Sequence, residues 1–238
     1  MAIRLYVEED LAEGICFQPS ENHFHYLFHV MRQQKGDQFF VFNGRQGEWI
    51  TVIEEVSKKT ALVRVLKQTR AQDEEKLPDV WLCFAPIKKD KQDWLIEKAT
   101  ELGVSKLVPV ITRRTIVSHF YSEKLFLRAI EAAEQCERLS VPFIEAPVSL
   151  DVFLSSFPKE RTLFYLNERG EGADLTGPER PVAFLVGPEG GFETTEIQKL
   201  GSFSQAISLH LGRLILRAET AGIAILAAWN QCLGWHDK

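Results

Sequence analysis

The stretch FLVGPEGGFETTE (residues 184–196) decides how the chain is interpreted as a fold. Phe184, Leu185 and Val186 run directly into Gly-Pro-Glu-Gly-Gly, and a helix-start pattern follows at once. A short continuous apolar run is typical of a strand buried on both faces of a parallel sheet. Gly187, Gly190 and Gly191 allow unusual backbone dihedral angles and let a ligand approach the main chain closely. The stretch therefore predicts a buried strand, a bare turn and a helix in succession.

The rest of the C-terminal part repeats this alternation of strand and helix patterns. Apolar runs such as VWLCFAPI, KLVPVIT and TLFYLNE alternate with helical patterns such as KDKQDWLIEKATELG, which Gly103 ends in the usual position after the last turn. Such alternation predicts an α/β fold whose parallel sheet is covered on both faces. The last helical pattern, AETAGIAILAAWNQCLG, is apolar nearly all round, which predicts burial in the core or against a second subunit.

Residues 1–72 follow a different pattern and predict a smaller β domain. The strand patterns RLYV, QFFVFN, EWITVIEEV and TALVRVL are separated by turns containing Gly and Asn, and Ser20 is placed to cap a helix over ENHFHYLFHVMR. The polar segment KQTRAQDEEKLPD (residues 67–79) is typical of a domain boundary. We therefore expect two domains, residues 1–72 and residues 73–238, the first a small barrel or half-barrel.

Composition narrows the class of protein. The chain of 238 residues has a net charge of −5, which argues against a protein that coats nucleic acid by bulk electrostatics. No apolar run reaches the roughly 20 residues of a membrane span, and the N-terminus lacks the apolar core of a secretory signal. The four cysteines stand singly without a CxxC pair, which favours a reducing cytoplasm over a disulfide framework. We expect a cytoplasmic protein.

A second glycine-bearing stretch has the same build as the first. In LHLGRLILRAETA (residues 209–221) an apolar strand leads into Gly212, an apolar turn and a helix start. Open α/β sheets bind ligands beyond the carboxyl ends of their strands. Two such loops can wall a pocket for a flat ligand with polar edges, with Leu211, Ile215 and Leu216 supplying apolar contact. The alternative is that both are plain strand–helix connections, since neither is a GxGxxG motif or a P-loop.

These two loops resemble the C-terminal motifs of the RsmE family. Its members are S-adenosylmethionine-dependent 16S ribosomal RNA (uracil-N3)-methyltransferases of the SPOUT superfamily. The likeness extends to KKDKQDWLIEKATELGV, to RAIEAAEQCERLSVP and to HYLFHVMRQQKGDQFFVFNG, so that it covers nearly the whole chain in the family's order. The resemblance implies an N-terminal PUA-like β-barrel that helps bind RNA and a C-terminal SPOUT α/β domain with a trefoil knot. True knots are otherwise essentially absent from proteins, and the knot is expected from the resemblance alone.

The resemblance also implies an activity and its partners. The expected reaction is methylation of N3 of uridine 1498 in 16S ribosomal RNA of the small subunit, by a homodimer. We expect S-adenosylmethionine between the two loops, held by residues of the strand end and both loops: Leu185, Val186, Gly187, Gly190, Gly191, Leu211, Gly212, Ile215 and Leu216. Two alternatives stay open, a SPOUT ribose 2′-O-methyltransferase acting on ribosomal or transfer RNA and a non-catalytic PUA-type RNA-binding protein.

Arg217 and Glu189 are the expected catalytic residues. N3 of uridine is a poor nucleophile while it keeps its proton, so a group that removes the proton or stabilises the uracil anion adds to catalysis. The rigid guanidinium fork of Arg217 suits phosphate or the uracil oxygens, and Glu189 or Glu219 is placed to face the sulfonium or the N3 proton. Alternatively, Arg217 pairs with Glu219, and both acids stabilise helix starts. Arg213 stands where the family's usual first arginine is absent or shifted.

Three further arginines are expected to contact RNA. Arg32 matches an arginine of the family's N-terminal segment, and Arg113 and Arg114 form a basic pair after a strand. His25 and His29 are four residues apart on a predicted helix, a spacing that can hold a metal. Because no third ligand accompanies them, we expect no metal site.

Overall fold

The computed structural model describes residues 2–116, 120–167, 173, 175 and 181–234. It divides into two compact units. The first comprises Met1–Lys76 together with Ala133–Val141, and the second comprises Leu77–Ala132 together with Pro142–Lys238. The domain boundary between residues 72 and 73 stays a prediction. In the structure, Ala133–Val141 also belongs to the first unit.

The first unit is built on a five-stranded sheet in the order β1-β3-β4-β5-β2. Its core includes Leu5, Phe39, Val41, Ile53 and Val63, which are buried together. β1 and β3 pair in parallel, whereas the other neighbours pair antiparallel. This sheet confirms the smaller N-terminal β domain. The strands are β1 (Arg4–Tyr6), β2 (Cys16–Phe17), β3 (Gln38–Phe42), β4 (Glu48–Val56) and β5 (Ala61–Arg70), and a 3-10 turn over Gln72–Glu74 follows β5.

The helical segment of the first unit differs from the uniform helix expected. The Ser20 hydroxyl caps it as predicted, accepting a hydrogen bond from the backbone N–H of His23 at 3.2 Å. The segment is α-helical only over α1 (Glu21–Phe24) and continues as a π-helix over His25–Val30. The helical segment ends at Val30, and Arg32, two residues later, has a φ of 56°, which is unusual for a residue other than glycine.

The second unit is a seven-stranded sheet in the order β12-β10-β11-β6-β7-β8, with β9 paired to β7. Every pairing recorded among its strands is parallel, which confirms the predicted α/β class. The strands are β6 (Val80–Phe84), β7 (Lys106–Ile111), β8 (Phe143–Ile144), β9 (Val148–Ser149), β10 (Thr162–Leu166), β11 (Val182–Val186) and β12 (Ala206–Leu209). The helices are α2 (Lys89–Glu101), α3 (Ser122–Gln135), α4 (Leu150–Ser155), α5 (Thr194–Ser202) and α6 (Ala218–Trp229), with a π-helix over Asn230–Gly234 at the end.

Both faces of this sheet are buried, as the continuous apolar strands predict. On one face Leu185 joins a core cluster with Phe153 and Phe157. On the other face Phe184 meets Trp229 of α6 edge-on, with ring centroids 5.7 Å apart. The side of the last helix that carries Trp229 is therefore buried in the core of its own unit. Its sequence predicted burial either in the core or against a second subunit.

The end of α2 also follows its sequence. Gly103 has a φ of 83° and donates its N–H to the carbonyl of Thr100 at 3.1 Å, while Val104 donates to Ala99 at 3.1 Å. These bonds satisfy the last carbonyls of the helix. In the part of the chain that the structure describes, no helix has both the length and the apolar character to cross a membrane. The trefoil knot stays an expectation.

Candidate active site

A cavity of about 390 Å³ opens where β10, β11 and β12 end at the same edge of the sheet. The loop after β11 forms one wall and the loop after β12 forms the other, while the start of α6 contributes Ala218 and Ala221. A volume in this range is typical of sites for small ligands and cofactors. The position is the one where parallel α/β sheets usually bind ligands.

The loop after β11 depends on its glycines for its shape. Gly191 has a φ of 69°, and its N–H donates to the carbonyl of Pro188 at 2.8 Å, which closes a tight turn. A Cβ on Gly187 would lie 3.1 Å from the ring of Phe192. A Cβ on Gly190 would lie 3.3 Å from Cδ of Arg114. Gly187 and Gly190 therefore line the cavity at positions where neighbouring side chains leave little room for a side chain.

The loop after β12 presents apolar side chains to the cavity and to solvent. Leu214 is 80% exposed and Ile215 is 70% exposed, and both line the cavity. Gly212 turns the chain with a φ of 94°, and its N–H donates to Nδ1 of His210 at 3.2 Å. Adjacent exposed apolar side chains at a cavity are typical of a ligand-binding surface.

Arg217 and Glu189 both lie at the cavity with exposed side chains. Arg217 is the N-cap residue of α6, in an extended conformation with φ −66° and ψ 154°. In the described part of the chain no ion pair of Arg217 is found, and the alternative pairing with Glu219 is not what the structure contains. Glu219 instead pairs with Lys91, whose Nζ lies 3.3 Å from its Oε1.

Glu219 does not line the cavity, because its side chain is buried between α6 and α2. The interpretation of Glu219 as an acid facing the ligand is therefore not supported by its position. Its place in the first turn of α6 is one that stabilises a carboxylate without any chemistry. Cys83 is fully buried in the core, and burial raises the pKa of its thiol, which keeps it protonated.

The predicted cofactor residues come together at the cavity with one difference. All of them line it except Leu185, whose side chain faces the opposite side of the sheet and packs in the core. Successive residues of a strand point to opposite faces, so Val186 reaches the cavity when Leu185 does not. Only the main chain of Leu185 is left to contribute there.

The predicted RNA-binding arginines lie in three different settings. Arg32 belongs to the first unit, where its side chain is exposed. Arg113 is exposed after β7 and is not part of the cavity wall. Arg114 lines the cavity, and its Nη1 donates to the carbonyl of Gly190 at 2.7 Å.

His25 and His29 of the first unit lie side by side with tilted rings, whose centroids are 5.3 Å apart. Among the residues that the structure describes, no group of three or more His, Cys, Asp or Glu side chains is placed to hold a metal ion.

Several cavity residues were missed from the sequence. Leu166 and Asn167 at the end of β10, and Thr194 and Ile197 of α5, also line the cavity. The signal for Asn167 is a polar residue directly after a buried parallel strand, since such strands end at one edge of a sheet. Glu196 was missed as well: one carboxylate oxygen accepts from the N–H of Glu193 and the other from the N–H of Arg113.

Comparison with known proteins matches both parts of the chain to RNA-modifying families. Residues 73–230 match the RNA methyltransferase domain family, and residues 20–66 match the RNA methyltransferase PUA domain family. The ribosomal RNA small subunit methyltransferase E of Rickettsia conorii is 34% identical over 242 residues, which cover 98% of this chain and 96% of the relative.

Solved structures resemble the whole chain. The ribosomal RNA small subunit methyltransferase E of Neisseria gonorrhoeae, bound to S-adenosyl methionine, superposes with a TM-score of 0.86 at 25% identity and covers 97% of this chain and 98% of its own. A protein structure from Legionella pneumophila in complex with the bound cofactor SAM superposes with a TM-score of 0.85 at 30% identity, with the same coverage of 97% and 98%. The similarity therefore includes both units and their order along the chain.

Proposed function

The chain belongs to the RsmE family of ribosomal RNA small subunit methyltransferases, and we propose from this premise that it methylates N3 of uridine 1498 in 16S ribosomal RNA. S-adenosylmethionine is the proposed methyl donor. The observation that carries the proposal is the cavity at the strand ends, where two glycine-shaped loops bring bare main chain, exposed apolar side chains and Arg217 together.

The residues present fit S-adenosylmethionine. Main-chain groups of the loop after β11, other than those bonded within the turn that Gly191 closes, are proposed to read the polar edges of an adenosine, and Ile215 and Leu214 offer apolar surface. Gly187 and Gly190 let this wall pack closely against Phe192 and Arg114, because a Cβ at either position would crowd those side chains. When bound, the cofactor supplies a methyl group on a positively charged sulfur.

Arg217 and Glu189 have different proposed roles in the reaction of the uracil. Arg217 offers its guanidinium fork at the cavity to a phosphate or to the uracil oxygens, and it offsets the negative charge that develops as the N3 proton leaves. Glu189 is the only carboxylate among the described residues that line the cavity. It is therefore the proposed proton acceptor.

The RNA and the partner subunit are assigned to other surfaces. Arg32 of the first unit and Arg113 are the proposed RNA contacts, since both side chains are exposed. The proposed homodimer uses apolar surface that stays accessible: Ile223 and Ala227 of α6 are half-buried, and Trp94 of α2 is 44% exposed. A ribosomal substrate places the proposed activity in the cytoplasm.

The experiment that tests the proposal is methyl transfer to defined RNA. Purified protein is incubated with methyl-labelled S-adenosylmethionine and small subunits from cells that lack this activity, and the product is mapped by mass spectrometry. The expected product is one 3-methyluridine at position 1498. A methylated ribose, which resists alkaline cleavage, would show the 2′-O-methyltransferase instead. RNA binding without uptake of S-adenosylmethionine would show a non-catalytic RNA-binding protein.

A further inference from the structure

We propose that Glu196 is a positioning residue for the cofactor loop, acting through Arg114. Glu196 fastens the turn that carries Arg113 and Arg114 to the start of α5, and Arg114 in turn fixes the peptide between Gly190 and Gly191. The inference rests on the proposed function in so far as this loop holds S-adenosylmethionine. It assigns Arg114 to the cofactor loop, where the sequence predicted an RNA contact.

The first step is the carboxylate of Glu196, which is buried although it has no cation as a partner among the described residues. Its Oε2 accepts the backbone N–H of Glu193 at 2.9 Å and its Oε1 accepts the backbone N–H of Arg113 at 2.8 Å. A carboxylate in the first turn of a helix is stabilised by the helix dipole and commonly caps its own helix. The bond to Arg113 goes beyond capping, because it reaches a segment far away in the sequence.

The second step is the turn after β7, which is closed on itself. The N–H of Thr112 donates to Oγ1 of Thr115 at 2.9 Å, and the two threonine hydroxyls lie 3.0 Å apart. Because the turn is held internally, the bond between Glu196 and the N–H of Arg113 fixes its position as a unit. The direction in which Arg114 leaves the main chain is then determined.

The third step is the contact of Arg114 with the glycine loop. Its Nη1 donates to the carbonyl of Gly190 at 2.7 Å, and its Cδ and Cβ lie 3.3 and 3.4 Å from the place of a Cβ on Gly190. The N–H of Gly191 donates to the carbonyl of Pro188 at 2.8 Å. The carbonyl of Gly190 and the N–H of Gly191 belong to one peptide plane, so both polar groups of that plane are held.

This arrangement has a reason in the flexibility of glycine. Two adjacent glycines lose more conformational freedom on ordering than any other pair of residues. If the loop were free, binding of the ligand would have to supply that ordering, and the affinity would fall. Arg114 and Glu196 order the peptide of Gly190 and Gly191 before the ligand arrives.

The test is a double-mutant cycle on cofactor binding, measured by calorimetry with S-adenosylmethionine. Glu196→Ala and Arg114→Ala are each expected to weaken binding about tenfold, because each frees the same peptide. The affinity of the double variant is expected to equal that of the single variant with the lower affinity, since Glu196 acts through Arg114. Additive losses, or unchanged affinity in Arg114→Ala, would overturn the inference.

The matched control is Ser149→Ala, which removes a helix cap away from the cavity. The hydroxyl of Ser149 accepts the N–H of Val152 at 3.3 Å at the start of α4. This variant is expected to lose stability while binding S-adenosylmethionine as the wild type does. If Ser149→Ala weakened S-adenosylmethionine binding as much as Glu196→Ala does, the loss of a helix cap alone would explain the weaker binding. That result would contradict the proposed role of Glu196.

A second readout needs no cofactor at all. Amide hydrogen exchange over residues 187–193 of the free protein is expected to speed up in Arg114→Ala and Glu196→Ala and to stay unchanged in Ser149→Ala. Arg114 is exposed, so its variant tests the inference even if Glu196→Ala does not fold. If the wild type binds no S-adenosylmethionine, the proposed function fails, but the exchange rates still decide whether Arg114 and Glu196 order this loop.

Discussion

Lys91 and Glu219 join the two helices that cover one face of the parallel sheet, with Nζ of Lys91 3.3 Å from Oε1 of Glu219. The other carboxylate oxygen of Glu219 is buried and has no hydrogen-bond partner among the described residues. Glu219→Gln keeps the shape and removes the charge, so we expect a loss of about 1 kcal/mol in the free energy of unfolding. Lys91→Met is expected to cost about 2 kcal/mol, because it leaves a buried carboxylate unpaired.

Urea unfolding measures both variants, and calorimetry measures their affinity for S-adenosylmethionine. Because Glu219 does not line the cavity, the affinity of Glu219→Gln is expected to equal that of the wild type. If Glu219→Gln were as stable as the wild type but did not bind S-adenosylmethionine, Glu219 would have to take part in ligand binding.

Gly191→Val is expected to abolish S-adenosylmethionine binding while the protein still folds. The φ of 69° at Gly191 lies in the left-handed region, where a β-branched residue is strained by about 1–3 kcal/mol. The matched variant is Gly191→Asn, since asparagine tolerates this region better than other side chains. It is expected to retain measurable affinity in calorimetry, with circular dichroism as the control for folding. Wild-type affinity in Gly191→Val would show that the turn does not shape the pocket.

Arg217→Ala is expected to slow methyl transfer by about 10²- to 10³-fold, the usual effect of removing one charge-stabilising contact from a transition state. Affinity for S-adenosylmethionine is expected to change little, because the proposed cofactor contacts are mainly with the main chain. Arg217→Lys keeps the charge but not the fork, and should recover part of the rate. Single-turnover assays separate chemistry from binding. Near-normal turnover in Arg217→Ala would leave Arg217 a structural role only.

Arg4→Met is expected to destabilise the first unit by about 3 kcal/mol. Arg4 is buried, with Nε 2.5 Å from Oε2 of Glu48, and it donates to the carbonyls of Ala133 and Arg138 at 3.0 and 2.5 Å. Removing it leaves a buried carboxylate without its cation, which is the costly way to break such a pair. The double variant Arg4→Met/Glu48→Met should recover part of the loss in urea unfolding. A single variant as stable as the wild type would contradict this account.

His23 is expected to make stability fall with pH below about 6.5. Burial lowers the pKa of His23 below its ordinary value of 6.5, and the nearby charge of Glu9 opposes this only in part. As the pH falls, the unfolded chain therefore takes up the proton first, and the folded state loses stability. Urea unfolding at pH 7.5 and pH 5.5 should show a smaller loss in His23→Gln than in the wild type. If the wild type and His23→Gln lost the same free energy of unfolding between pH 7.5 and pH 5.5, His23 would not be the cause of the pH dependence.

The strands and both pocket loops could be predicted because each is marked by a local pattern. An apolar run between turns fixes a buried strand, and glycines at its end mark the place where side chains are excluded. The same pattern fails to say which residue faces which side. Val182–Val186 is apolar at every position, so nothing in its sequence tells that Val186 lines the cavity and Leu185 does not.

Contacts between distant segments could not be predicted. The bond from Arg113 to Glu196 and the bonds from Arg4 to Ala133 and Arg138 join residues whose sequences carry no common pattern. The π-helix over His25–Val30 was not predicted either, because the spacing of its apolar residues is also compatible with an α-helix. Local composition therefore predicts elements well, and it leaves open the single hydrogen bonds that fix a loop.

The order of strands in the parallel sheet has a consequence for how the protein is made. β11 pairs with β6, Val182 opposite Val80, and with β10, Thr162 opposite Val182. In a growing chain the N–H and C=O groups along the edge of β6 that pairs with β11 therefore stay without their partner until β11 has left the ribosome, since synthesis runs from the N-terminus. Non-local pairing of this kind folds slowly. A nascent chain halted before β11 lacks the central strand of its sheet, and we expect it to need a chaperone rather than to wait as a folded intermediate.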